Sequence, residues 1–405
     1  MSMSSASTVL EEKRGTKTIL SGDQAVAEAA KMANIDVVSA YPITPQTIIV
    51  ETLEHMIANG ELKAKFIPVE SEHSAMSAAV GASAAGARVF TSTASQGLAL
   101  MHEIVYIASS LRLPIVMAVA NRALSGPINI WNDLSDAMAE RESGWIQLFA
   151  ETVQEAFDTT LEAFRIAEDP RVSLPVMVGL DGYILSHEYE PITLPFQEDV
   201  DKYLPPRQPT VVLDPAKPVS MGTLAPPDYY FEIKYRQEKA IENSLPIIDE
   251  KDKEFAAHFG RSYSMLDKYK TDDADYVLVT MGSVSGTAKE EADRLRAQGM
   301  KVGVLRVRLF RPFPKQQLAD ALSGVKGIGV LDRSMPMGSS GGALYQDVVA
   351  SLAQARQLPT SVVDFTSGIG GRDIKLSDFE QMFQEIKTAV DGNIPYRVSY
   401  PALRG

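Results

Sequence analysis

Short apolar runs and helix-length segments alternate from Ile19 to about Gly182. Strands of that kind, separated by helices, are satisfied only in a parallel sheet covered on both faces. The pattern predicts a helix over Gln24–Met32 capped by Asp23, a strand over Ile35–Ala40, and a helix over Pro45–Ala58 that stops at Asn59-Gly60. It continues with strands over Lys65–Val69, Arg88–Thr91, Pro114–Ala120 and Val176–Leu180, and helices over Glu72–Ala85, Gln96–Ser110 and Thr152–Ala167.

Residues 183–273 read differently, because prolines crowd positions 191, 195, 205, 206, 209, 215, 218, 226 and 227. The expectation there is a connector with little regular structure, followed by a polar helix over Lys251–Lys268. A second α/β block starts at Asp275, with strands over Tyr276–Met281, Lys301–Val307, Ile328–Asp332 and Ser361–Phe365. Its helices are expected from Gly282-Ser283 to Ala297 and over Lys315–Ser323, Gly342–Ala355 and Phe379–Val390. The resulting map is a tail over 1–18, a first unit over 19–190, a wrapping linker over 191–273, a second unit over 274–392 and a tail over 393–405.

Composition removes whole classes of chemistry. The 405 residues contain no cysteine, which excludes disulfides, thiol nucleophiles and cysteine-held metal or iron–sulfur centres on this chain. A formal charge of −13 opposes nucleic-acid binding. No apolar stretch is long enough to span a bilayer, and the polar start MSMSSASTVLEEKRGTK has no signal core.

Four segments fall where strands end or helices begin, the usual ligand edge of an open parallel sheet. In SAYPITPQT two prolines flank Ile43-Thr44 and stiffen the turn that carries the Thr44 hydroxyl. Glu72 precedes an Ala-, Ser- and Gly-rich helix that leaves room for a flat ring; it also suits a helix-dipole role. TSTASQG (91–97) is a hydroxyl-rich loop that either offers polar ligand contacts or is a turn capped by Ser95. Arg122 follows a buried strand directly and needs an anion, either a ligand or one of Asp133, Asp136 and Glu140. The polar segment Pro127–Trp145 reads as a loop near the site or at an interface. GSVSG (282–286) and GSSGG (338–342) are glycine-rich strand-to-helix turns that lack the full dinucleotide fingerprint.

SGDQAVAEAA, YPITP, TSTASQGLALMHE, NRALSGPINIW and LDGYILSHE, in this order, resemble the α subunit of multi-subunit pyruvate:ferredoxin oxidoreductases, within the 2-oxoacid:ferredoxin oxidoreductases. The likeness covers roughly residues 15–392, and the second block is similar to the transketolase C-terminal-like domain of those subunits. It implies an α/β pyrimidine-type thiamine diphosphate-binding domain whose cofactor lies between two chains. This chain has no GDG…N motif; its nearest strings are GDQ at 22 and LDG at 180. The diphosphate and Mg²⁺ are therefore expected on a β subunit, and [4Fe-4S] clusters on β- and δ-type subunits, within a cytoplasmic complex that also has a γ-type subunit. The resemblance implies Glu72 as the carboxyl group on the aminopyrimidine, Thr44 and Arg122 as contacts to pyruvate, and Tyr41, Pro42, Ser95 and Gln96 as cofactor lining; no residue of this chain is assigned to metal. The implied reaction converts pyruvate, coenzyme A and oxidised ferredoxin to acetyl-CoA, CO₂ and reduced ferredoxin. Other 2-oxo acids (2-oxoglutarate, branched-chain acids, oxalate) and a non-catalytic scaffold role are the alternatives. Leu134 stands where many relatives carry histidine.

Overall fold

A computed structural model describes residues 15–404. Most of the predicted N-terminal tail, residues 1–14, lies outside the described residues. The first unit contains β1 (Thr16–Ser21), α1 (Gly22–Met32), β2 (Val37–Ala40), α2 (Thr47–Ala58), β3 (Lys65–Pro68), α3 (Glu72–Ala84), β4 (Val89–Thr93) and α4 (Ser95–Ser110). It continues with β5 (Val116–Asn121), α5 (Ser135–Ala139), β6 (Ile146–Phe149), α6 (Val153–Ala167), β7 (Val176–Asp181), β8 (Tyr189–Leu194) and α7 (Gln197–Tyr203). Strands β4, β5, β6 and β7 are buried at every position, as a sheet covered on both faces requires. They run parallel in the order β6-β7-β5-β4-β2-β3.

That order places the first crossover to one side of β2 and the next to the other, so the order of strand addition reverses between β2 and β4. The two strands pair only at Val37↔Val89 and Val38↔Phe90 and part beyond that point. Side chains bridge the gap: Thr91 Oγ1 donates to Ser39 O at 2.6 Å, and Gln46 Nε2 donates to Ser92 O at 2.8 Å and Tyr41 O at 3.2 Å. A crevice at such a reversal is where open α/β sheets bind ligands.

Helix starts follow local capping chemistry. Ser21, not the expected Asp23, caps α1: its hydroxyl accepts from Gln24 N, and Gln24 closes a capping box. Asp23 sits inside the first turn, fully buried, and burial pushes its carboxyl well above the usual aspartate range. Ser71 caps α3 and Thr152 caps α6.

The proline-rich stretch holds more regular structure than its composition suggests. Strand β8 pairs antiparallel with β1, so residues 16–18, expected in a tail, belong to a ribbon. One helix, α8 (Pro227–Phe259), runs for 33 residues where an irregular connector and a helix over Lys251–Lys268 were expected. Pro227 occupies the first helical position, where the missing N–H costs nothing. The helix tolerates Pro246 in its interior because Ala240, Ser244, Ile247, Ile248, Phe255 and Phe259 are buried along it. Gly260, with φ 71°, ends it.

The second unit comprises β9 (Leu266–Tyr269), β10 (Tyr276–Thr280), α9 (Val284–Ala297), β11 (Val302–Val307), β12 (Leu309–Arg311), α10 (Lys315–Ala321) and β13 (Gly327–Asp332). It closes with α11 (Ala343–Ala355), β14 (Ser361–Thr366), α12 (Leu376–Asp391) and β15 (Tyr396–Ser399). The sheet order is β15-β14-β13-β10-β11-β9, parallel except for β9. The expected C-terminal tail thus includes an edge strand. One element leaves its own unit: β12 pairs antiparallel with β6 and extends the first sheet. Arg308, between β11 and β12, is fully buried and bonds Asp252 at 2.9 Å and also Glu162. Arg306 bonds Glu155 at 2.9 Å. This buried charge network joins the two units where a hydrophobic pattern gives no hint of contact.

Candidate active site

Glu72 is the first residue of α3 and is 6% exposed. Its carboxylate makes no hydrogen bond among the described residues. Beneath it runs the start of α4 at Gly97. A methyl group placed on Gly97 would lie 2.7 Å from Glu72 Oε1 and 2.9 Å from Glu72 Cγ, and would also strike Thr93 Oγ1. Glycine is therefore required for the two segments to touch. Around this contact, buried polar atoms are left without partners: Thr93 Oγ1, Ser92 Oγ and Gln96 Nε2. Buried donors and acceptors left open in this way call for a polar ligand or water.

The TSTASQG loop is built differently from a simple capped turn. Ala94 holds the cap position, and Ser95 is the first helical residue, with φ 47°. Ser95 Oγ donates to Ala123 O and lies 2.7 Å from Gln96 Oε1. Ser95 N donates to Asp136 Oδ2 at 3.0 Å. The backbone N of Arg122 donates to the same oxygen at 2.9 Å, and Asn121 Nδ2 reaches Asp136 Oδ1 at 2.9 Å. Asp136 thus ties the ends of β4 and β5 together. Its complete burial pushes its carboxyl up to about 7, against the pull of these donors.

The guanidinium of Arg122 is not the partner of Asp136, nor of Asp133 or Glu140. Asp133 accepts from Ser135 and from Gly370 N, and Glu140 meets His102 Nδ1 at 2.7 Å. Arg122 Nε donates to Asn129 O at 2.8 Å and Nη1 to Thr44 O at 3.0 Å. Arg122 is 6% exposed and forms no ion pair among the described residues. Burial pulls its pKa below the ordinary arginine value. Two carbonyls orient the fork, and Nη2 makes no hydrogen bond among the described residues.

Thr44 is exposed beside that fork, and Tyr41 and Pro42 are exposed on the same turn. The turn is fixed by Gln46 N donating to Ile43 O at 2.9 Å and by the Gln46 side chain anchored to β4. Hydrogen bonds and close contacts thus link Thr44, Arg122, Ser95 and Glu72 in one cluster, through Asp136 and Gly97. Gln96 is half-buried within the loop.

Three contributors were not singled out from the sequence. Gln46 follows Pro45 directly and shows no signal beyond that position. Asp136 lies in the short helix α5 of a polar segment whose sequence points only to an ion-pair partner. Asn129 stands out through its contacts to Arg122 and, 241 residues away, to Gly370. The Pro127–Trp145 loop folds inward: Trp145 is buried and Trp131 is 53% exposed. Leu134 is buried in the apolar cluster of the second unit, with its N–H donating to Arg333 O at 2.7 Å, so an apolar side chain suits that position.

The glycine-rich turns of the second unit are filled by the protein's own carboxylates. Asp332 accepts from Leu344 N and Tyr345 N, both at 2.9 Å, at the start of α11. Asp181, from the end of β7, accepts from Ser283 N at 2.8 Å and pairs with Arg333 Nη1 at 2.7 Å. At both turns a carboxylate of the chain already occupies helix-start N–H groups.

Residues 28–253 match the thiamine diphosphate-binding profile of pyruvate flavodoxin/ferredoxin oxidoreductases, and residues 274–379 match core domain II of pyruvate:ferredoxin oxidoreductase. Pyruvate synthase subunit PorA of Methanothermobacter thermautotrophicus is 53% identical over 90% of this chain and 94% of its own length. PorA of Thermotoga maritima is 51% identical over 93% and 95%. Ketoisovalerate oxidoreductase subunit VorA of Pyrococcus abyssi is 45% identical over 97% and 99%. The 2-oxoglutarate:ferredoxin oxidoreductase of Magnetococcus marinus shares the fold, with a TM-score of 0.71 at 20% identity; the match covers 92% of this chain and 65% of that one. A split-gene transketolase shares it more loosely, at a TM-score of 0.53 and 13% identity.

Proposed function

The chain belongs to the pyruvate flavodoxin/ferredoxin oxidoreductase family, in its pyruvate synthase PorA branch, and from that premise we propose that it is the α subunit that presents Glu72, Thr44 and Arg122 to the reacting molecules of a pyruvate:ferredoxin oxidoreductase. The observation that carries this reading is Arg122: a buried guanidinium without a carboxylate partner, held by Thr44 O and Asn129 O beside an exposed threonine. The donor set fits thiamine diphosphate at its aminopyrimidine end. Glu72 offers a free carboxyl group, Gly97 lets it pack against the start of α4, and Gln96 and Thr93 offer open polar atoms. Tyr41, Pro42, Ser95 and Gln96 are assigned to the lining.

Thiamine diphosphate, when bound, supplies the carbon that adds to a 2-oxo acid and the electron sink that accepts the pair released with CO₂. The residues of this chain prepare that chemistry. Glu72 would hold the aminopyrimidine through a hydrogen bond between its carboxyl oxygen and a ring nitrogen. Arg122 grips the substrate carboxylate through Nη2 and keeps it aligned. Thr44 donates its hydroxyl to the oxygen on which negative charge grows. Fixing the threonine between two prolines limits its wandering.

The diphosphate, Mg²⁺ and [4Fe-4S] clusters are assigned to β- and δ-type partners, because this chain has no cysteine and no GDG motif. Coenzyme A and ferredoxin are the co-substrates, a γ-type subunit completes the complex, and the cytoplasm is its proposed place. No helix among the described residues is long and apolar enough to cross a membrane. We divide the chain near 19–190 and 274–392, extended by β1 and α7 to 16–203 and by β9 and β15 to 266–399.

A second reading is specific to substrate: the VorA relative supports a branched-chain 2-oxo acid. The test is the assembled complex carrying Glu72→Gln. Loss of roughly 10²- to 10⁴-fold in kcat with the subunits still assembled is expected. Unchanged turnover would remove Glu72 from catalysis and favour a scaffold. Comparing kcat/KM for pyruvate with that for 2-oxoisovalerate decides between the two substrates.

A further inference from the structure

Arg122 reaches its position through a residue that the second α/β unit holds in place. Asn129 uses three of its polar groups. Its carbonyl accepts from Arg122 Nε at 2.8 Å, its Oδ1 accepts from Trp131 N at 2.7 Å, and its Nδ2 donates to Gly370 O at 3.1 Å. Gly370 and Gly371 belong to the short turn Ile369–Gly371 that follows β14. That turn makes two more hydrogen bonds to the same loop: Gly370 N to Asp133 Oδ2 at 3.0 Å and Gly371 N to Asn132 O at 2.6 Å.

The fit is tight. Gly370 has φ 59°, and a methyl group on it would lie 2.6 Å from Asn129 Nδ2. A side chain there is both conformationally strained and in collision with the asparagine. Leu134 fixes the far end of the loop by its burial in the second unit's core and its bond to Arg333 O. Segment 129–134 is therefore held by the second unit along its length, while Arg122 itself belongs to the first.

We infer that Asn129 is a positioning residue for the substrate arginine, and that the turn at Gly370 is the means by which the second unit sets where the guanidinium points. The physical reason is directional. Arg122 has a planar fork, and its bonds to Thr44 O and Asn129 O fix the plane and therefore the line along which Nη2 meets a carboxylate. Losing one support lets the fork rotate about the other. Ground-state capture of the carboxylate weakens, and the later proton and electron steps keep their own residues. This inference rests on the reading of Arg122 as the carboxylate anchor.

The experiment uses the assembled complex, with steady-state kinetics in pyruvate and in coenzyme A. Asn129→Ala and Gly370→Ala are each expected to raise the KM for pyruvate roughly 3- to 10-fold, the range of one hydrogen bond, with kcat and the KM for coenzyme A held within about twofold. The double variant should be no worse than the worse single one, because both break the same link. Asn129→Asp keeps the acceptor for Trp131 N but loses the donor to Gly370. It should match Asn129→Ala, and it serves in place of Gly370→Ala if that variant fails to assemble. An unchanged pyruvate KM in Asn129→Ala and Asn129→Asp, with Arg122→Ala raising it, overturns the inference and leaves the anchor reading intact. An equal rise in the KM for coenzyme A also overturns it, since that marks general disturbance. An unchanged pyruvate KM in Arg122→Ala overturns both.

Discussion

Gly97 passes so close beneath Glu72 that a single added carbon would sit 2.7 Å from the carboxyl Oε1. The acid is thus positioned by the absence of a side chain as much as by its own helix. Gly97→Ala is expected to push Glu72 out of place and to cost about 1–3 kcal/mol of stability through overpacking. Activity should fall further than that loss of stability alone predicts, because alignment is affected. Turnover of the assembled variant beside its thermal midpoint checks this; full activity would mean that the Glu72 contact is irrelevant to the chemistry.

Arg122→Ala and Arg122→Lys test the anchor. A charge-assisted bond to a carboxylate supports a rise in pyruvate KM of roughly tenfold to a hundredfold for alanine. Lysine should recover little, because an ammonium cannot hold Thr44 O and Asn129 O and still offer a planar fork. Complete recovery by lysine would show that charge alone is sufficient.

Asp181 and Arg333 form an ion pair at 2.7 Å, with side chains 1% and 4% exposed, across the two units. Asp181→Ala leaves the arginine buried without its partner, which costs about 3–5 kcal/mol in comparable cases. Chemical denaturation of the purified chain should show the loss, or split into two transitions if the units come apart. A change below about 1 kcal/mol would contradict a clamp role.

Asp136 carries a pH signature. Its carboxyl is raised to about 7 in the folded chain, against about 3.9 when exposed. Between those values the folded state binds the extra proton, so stability falls as pH rises, and the contribution is lost once pH passes about 7. Asp332, also raised to about 7 by burial, acts in the same direction. Asp136→Asn should therefore show a shallower decline of the thermal midpoint between pH 5 and 8 than the unmodified chain. Parallel curves would rule out titration of Asp136 in this window.

The strand ends and helix starts that carry the proposed site are legible in the sequence. YPITP, Glu72, TSTASQG and Arg122 each sit at a strand end or helix start, as alternating apolar runs and punctuation by proline and glycine suggest. Element boundaries moved by one to three residues in most cases, since caps depend on which nearby hydroxyl wins; at α1, Ser21 prevails over Asp23. The proline-rich connector was misread for a physical reason. Proline at a helix start sacrifices no hydrogen bond, and buried contacts along α8 outweigh the cost of Pro246.

The sequence by itself determined the layered α/β character, the absence of thiol chemistry and which residues stand at strand ends and helix starts, because these follow from local pattern and residue type. Only the tertiary structure decided that Asp136 binds backbone rather than guanidinium, that β12 crosses into the first sheet, and that Gly370 supports Asn129 from 241 residues away. Those are hydrogen bonds between segments apart in the chain. Their partners have no periodicity and no fixed spacing along the sequence, so they exist as information only once the chain has folded.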